Sequence, residues 1–186
     1  MKRDDYVPTG LAEVHVAAAE GNASTLVFVR NLDHAPAVVW AALTEPAQLD
    51  EWAPFRADRN LDRTGPAALT MIDGADEVPL GATVIRADEP TLLEYTWGDD
   101  VLRWELAATD GGTRLTLRHT TAKRSGVPMV AAGWHLCLDV MALSLDGQPI
   151  GAIRGREALD FGWQQLHDAY ADRLGITEFP DAPPPA

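Results

Sequence analysis

The residues able to do chemistry in this chain are few, and most stand far apart. There are five histidines and a single cysteine, Cys137. No H-x-x-x-H or C-x-x-C spacing occurs, so a zinc site has no support. The G-x-S-x-G elbow, the Walker loop and the dinucleotide G-x-G-x-x-G are also missing, and nothing points to a cofactor. His135 and Asp139 are one helical turn apart, close enough for an ion pair worth about a few tenths of a kcal/mol on an exposed face. His15, His34 and His167 read as isolated and solvated, and Asp99-Asp100 as a solvated turn. Cys137 has no partner thiol, helix terminus or base to activate it and reads as a small buried hydrophobe.

The group with most chemical promise is aromatic. Tyr95, Trp104 and His119 fall on alternating positions of three strand-like segments, so their rings face one side. Such a row offers a ligand large apolar area, with the Tyr and His tips to orient it. A buried His119 favours its neutral form, which both donates and accepts. It is the candidate polar anchor and, with Tyr95, the candidate for moving a proton if the protein is an enzyme. The competing reading is that these rings simply fill the core.

The elements that must position them are legible from pattern. STLVFVRNL reads as a strand, rich in branched and aromatic residues. Two short helices follow, each opened by a proline, Pro36 and Pro46. A meander of strands follows over about 56–61, 67–73, 80–88, 91–97, 101–108 and 113–121. Leu93, Tyr95 and Trp97 share a face, as do Leu102, Trp104 and Leu106, and Leu115, Leu117 and His119. Glu94, Arg103, Glu105, Arg114, Thr116 and Arg118 take the other, wet face. The Asp110-Gly111-Gly112 turn leaves two registers open. A Gly111-Gly112 loop sets Glu105 against Arg118, Trp104 against His119 and, through the preceding hairpin, Tyr95 against Trp104. An Asp110-Gly111 loop sets Arg103 against Arg118. Opposed like charges are unfavourable, so the first register is expected. After the strands, Pro128 opens a helix striped with Val130, Trp134, Cys137, Met141 and Leu145. A second helix is expected from about Arg156 to Leu174, capped by Gly175.

Apolar residues make up 46% of the chain and charged residues 23%, as in a globular domain. The net charge of −13 opposes binding to nucleic acid or to an anionic membrane. VPMVAAGWHLCLDVMALSL reads as an amphipathic core helix rather than a membrane span. The absence of an apolar leader and of a possible internal disulfide fits a cytoplasmic location. Residues 1–22 are expected to be a weakly ordered lead-in, 23–176 a single domain, and 177–186 a proline-rich tail.

The order of these elements carries a resemblance. The run H-A-P-A-V-V-W-A-A-L-T-E-P-A-Q-L-D-E-W from His34 to Trp52, the stretch LLEYTWGDDVLRWELAATDGGTRLTLRHT and the helix beginning AAGWHLCLD resemble the activator of Hsp90 ATPase homologue-like family. That family lies within the START-like, helix-grip (SRPBCC) superfamily. The resemblance implies an α+β fold: a curved antiparallel sheet around a long C-terminal helix, with two short helices after the first strand. It also implies a cavity between sheet and helix for a hydrophobic or lipid-like ligand, and in some members a polyketide cyclase, aromatase or hydrolase activity. Eukaryotic members use a further amino-terminal domain in binding their chaperone, so a chaperone partner is not implied here. On this reading Trp52 and Phe55 stand at the cavity mouth and Trp40 anchors the first short helix. The ligand surface comprises Trp52, Phe55, Met71, Tyr95, Trp97, Trp104, Trp134 and Met141, with His119 as anchor. The expected function is binding of a small hydrophobic or aromatic molecule. Cavity-based catalysis and a protein-interaction module are the alternatives.

Overall fold

The computed structural model describes residues 1–21 and 23–176. Eight strands form one antiparallel sheet: β1 Glu13–Ala18, β2 Ser24–Leu32, β3 Phe55–Ala57, β4 Gly65–Asp73, β5 Asp76–Asp88, β6 Leu92–Trp97, β7 Asp100–Thr109 and β8 Gly112–Thr121. Their spatial order is β1-β2-β8-β7-β6-β5-β4-β3. Between β2 and β3 lie the short helices α1 Pro36–Thr44 and α2 Pro46–Trp52. Glu45 separates them with extended backbone at φ −80° and ψ 125°, the conformation that a following proline imposes. The long helix α3 Val127–Leu145 crosses the inner face of the sheet, and α4 Trp163–Leu174 packs on α3 and against the edge strand β1.

Alternation decides which side of the sheet is dry. Along β8, Leu115, Leu117 and His119 are buried, while Arg114, Thr116 and Arg118 between them are partly exposed. Helix α3 is sandwiched, so Leu136, Leu138, Val140 and Met141 are all buried. With its flanking turn it is long and apolar enough to cross a bilayer, but 72% of that window is buried against the rest of the protein. That burial is the mark of a core helix.

The register of β7 and β8 differs from the expected one. Asp110-Gly111 forms the loop, with Thr109 opposite Gly112, so Arg103 faces Arg118 after all. Leu102, not Trp104, lies opposite His119, and Leu102 also faces Tyr95. The like charges are tolerated because Glu105 bridges them, 2.8 Å from Arg103 and 3.1 Å from Arg118. Glu94 takes a further bond from Arg103 at 2.9 Å. Gly112 (φ 148°) adds a steric reason: a Cβ there would sit 2.1 Å from the Leu32 carbonyl oxygen.

Two further expectations are corrected. The segment taken for a loose lead-in holds a 3-10 turn at Arg3–Asp5 and the edge strand β1, paired residue for residue with β2. Tyr6 is buried, because its hydroxyl and the residues around Thr9 reach a carboxylate inside the protein. The second helix is not continuous from Arg156. Gly155–Phe161 is a 3-10 turn, and Gly162 at φ 84° breaks the path before α4 begins. Leu159 is therefore exposed, while Leu166 and Tyr170 reach the core. The proline-rich tail lies outside the described residues.

Candidate functional site

A cleft of about 500 Å³ opens at the N-terminal half of α3. One wall is the helix, with Val130, Gly133, Trp134 and Cys137 facing in. The other is the tip of the β6–β7 hairpin, with Trp97, Asp99 and Asp100, and Pro54 closes the third side. Pro54 is held by its neighbours: Arg154 donates to the carbonyls of Ala53 and Asp50 and to the Asp50 carboxylate, each at 2.8 Å. Gly133 has a special place here. It sits inside a helix, where glycine is about 1 kcal/mol less favourable than alanine, and apart from its own stretch of helix no heavy atom lies within 4 Å of where its Cβ would be. A second hollow of about 580 Å³ beside the same hairpin shares Trp97, Asp99 and Asp100 and adds Met71 and Leu80.

Behind the cleft wall runs a hydrogen-bonded chain. The indole of Trp134 donates to His119 Nδ1 at 2.9 Å, and His119 Nε2 lies 2.7 Å from Asp100. An indole N–H can only donate, so Nδ1 must be the bare nitrogen and Nε2 carries the proton toward Asp100. His119 is fully buried; the Asp100 side chain is 23% exposed and faces the cleft. The sequence offered Asp99-Asp100 only as a turn. Asp100 in fact begins β7, and its hydrogen bond to His119 is cross-strand, set by a register that local pattern does not reveal.

The aromatic side chains predicted from sequence divide sharply. Trp97 and Trp134 line the cleft and Met71 the neighbouring hollow. Trp52 and Phe55 are not at a mouth: both are buried, the Trp52 indole donating to the Ala42 carbonyl at 2.9 Å and Phe55 standing edge-on to Tyr95. Trp40 is buried as expected of an anchor. Tyr95, Trp104 and Met141 are enclosed in the core, with Trp104 donating to the Tyr95 hydroxyl at 3.2 Å. Burial pushes the Tyr95 hydroxyl well above its ordinary pKa. Four indoles form a contiguous series from core to cleft: Trp52 to Trp104 at 6.1 Å, Trp104 to Trp134 at 5.2 Å, and Trp134 to Trp97 at 5.9 Å between ring centroids. Cys137 is buried, and loss of solvent pushes its thiol up to about 12, which leaves it protonated and inert.

A second polar cluster lies deeper along α3. Asp139 accepts from the Tyr6 hydroxyl and the Thr9 backbone N–H, both at 2.9 Å, and from the Thr9 hydroxyl at 2.8 Å. Arg30 Nη2 lies 2.6 Å from it and His135 Nε2 3.4 Å. The Tyr170 hydroxyl lies 2.7 Å from His135 Nδ1 and accepts from the Ala12 N–H. Burial alone would raise the Asp139 pKa, but the His135 bond, the Arg30 charge and the Thr9 N–H outweigh it and hold it at about 2. The pair that looked like a weak surface contact is thus a buried clasp for the N-terminal segment. Two other histidines are also engaged rather than solvated: His34 pairs with Asp146 at 2.8 Å, and His167 is buried against Trp163. Among the described residues no cluster of three or more His, Cys, Asp or Glu side chains could hold a metal.

Sheet, long helix and cleft together define a helix-grip protein. The model of the family described as activator of Hsp90 ATPase homolog 1-like protein matches residues 33–146, and the chain belongs to that family. CalU16 from Micromonospora echinospora is similar in structure. Its crystal form has a TM-score of 0.64 at 20% identity over 87% of this chain and 95% of that one. The solution structure of the same protein gives 0.68 at 19% identity over 90% and 96%. EF2215 from Enterococcus faecalis, a conserved protein of unknown function, gives 0.63 at 16% identity over 90% and 92%. At these identities the likeness concerns the fold. None of the curated proteins compared with the chain matches it.

Proposed function

We propose that the protein binds a small, mainly apolar molecule in the cleft between the β6–β7 hairpin and the N-terminal half of α3. The observation that carries this reading is Gly133. A helix-interior glycine with open space beside it forgoes helix stability and core contact at once, and what it leaves in return is room against Trp97 and Trp134. Membership of a helix-grip family supports the same reading. Binding would gain about 25 cal/mol per Å² of apolar surface removed from water, before ordering costs. A cytoplasmic location goes with it, since Cys137 is a buried free thiol.

The catalytic alternative named His119 and Tyr95. His119 and Tyr95 are both enclosed and neither lines the cleft, so neither side chain reaches a molecule there directly.

The test is a pair of measurements. Native mass spectrometry of protein purified from its own host should show a co-purifying small molecule in the wild type. Gly133→Leu should fill the cleft, abolish that adduct and leave the melting temperature unchanged or higher. Retention of the adduct in the filled variant would place binding elsewhere.

A further inference from the structure

The cleft is apolar in its walls but not neutral in charge. Of its lining residues Asp99 and Asp100 are acidic, and Lys123 alone is basic. Lys123 is exposed on the rim and forms no ion pair with either carboxylate. Among the described residues, no lysine or arginine lies within ion-pair distance of Asp99 or Asp100. The one partner of Asp100 is His119, and the Trp134 N–H fixes that ring in its neutral, Nε2-protonated tautomer. His119 therefore aims the carboxylate without cancelling its charge.

Several other carboxylates on or beside the sheet do have a cation. Glu105 and Glu94 are tied to Arg103, Glu13 to Arg114, and Asp139 to Arg30. At the cleft, among the described residues, neither aspartate has a lysine or arginine within ion-pair distance, the rim residue Lys123 included. Beside Asp100 stand the rings of Trp97 and Trp134, surfaces that attract a positive charge through their π faces. The net charge of −13 adds a long-range pull of the same sign.

We propose that the cleft takes an apolar organic cation: a protonated amine on a hydrophobic body, with its ammonium against Asp100 and its body between Trp97, Trp134 and Val130. His119 acts as a positioning residue. This rests on the reading of the cleft as a binding site, and it adds the charge of the ligand to it. An apolar carboxylic acid would meet Asp99 and Asp100 with like charge and is selected against.

The experiment compares three probes of one shape on the full chain: naphthylmethylamine, naphthylmethanol and naphthoate, by calorimetric titration at neutral pH. The amine should bind at least about tenfold tighter than the alcohol, with the acid weakest. Asp100→Asn keeps an acceptor for His119 and removes the charge. It should bring the amine down to the level of the alcohol while the alcohol is unchanged, which also reports that the cleft is intact. Asp99→Asn, on the exposed rim, should cost the amine less. If the alcohol or the acid binds as tightly as the amine, or if the preference survives in both variants, the charge assignment is wrong and the cleft reading stands. If none of the three binds, both are overturned.

Discussion

His135–Asp139 and His119–Asp100 are two buried histidines each set against an aspartate, and they have opposite designs. Both imidazoles are completely enclosed. In the first pair the carboxylate is enclosed too, at 1% exposure, with a guanidinium, two hydroxyls and a backbone N–H completing its shell. In the second it is 23% exposed, has one neutral donor, and turns its remaining capacity toward the cleft. A carboxylate saturated by protein holds the fold together. One left short of partners at the edge of a cavity is free to meet something else. The same two residue types therefore do different work, and the difference lies in how completely the protein answers their charge.

The largest expected effect tests the saturated pair. Asp139→Ala should leave the largely enclosed Arg30 charged without its partner, costing about 3 kcal/mol in urea unfolding. Acid should then probe the same group in the wild type. The Asp139 pKa is about 2 against an ordinary 3.8. A depressed pKa gives stability that is present above the unfolded value and lost as pH falls toward the folded one. Roughly 2 kcal/mol should disappear between about pH 4 and pH 2, and Asp139→Asn should flatten that part of the profile. Asp100→Asn is the contrasting case: its partly solvated carboxylate should be replaced at a cost of about 1 kcal/mol or less. An equal loss for the two aspartate variants would break the comparison. The smallest effect should be a gain. Gly133→Ala adds a Cβ to open space within a helix and should raise stability by about 0.5 kcal/mol in thermal melts.

Much of the fold was legible because it is periodic. The alternation in β6, β7 and β8 named the inner face correctly, and Pro36, Pro46 and Pro128 marked three helix starts. The register failed because it was argued from a single pair of arginines, whereas Glu105 neutralises both. The N-terminal segment was misjudged for a related reason. Tyr6 and Thr9 carry no local pattern, and their partner Asp139 is about 130 residues away in sequence. At the cleft, Trp97 and Trp134 follow from strand and helix faces. Asp100 does not, since a carboxylate after a tight turn looks the same whether or not a buried histidine waits on the next strand. Trp52 was placed at the cavity mouth by the family resemblance, while its indole in fact bonds back to Ala42.

The row of indoles from Trp52 through Trp104 and Trp134 to Trp97 gives the protein an optical readout of its own. Four of the six tryptophans stand 5.2 to 6.1 Å from a neighbour, near enough for excitation to pass from ring to ring. Light absorbed deep inside can thus be emitted or lost at the outermost member. A guest that quenches Trp97 would dim its buried companions as well, so occupancy can be followed in ultraviolet emission with no added dye.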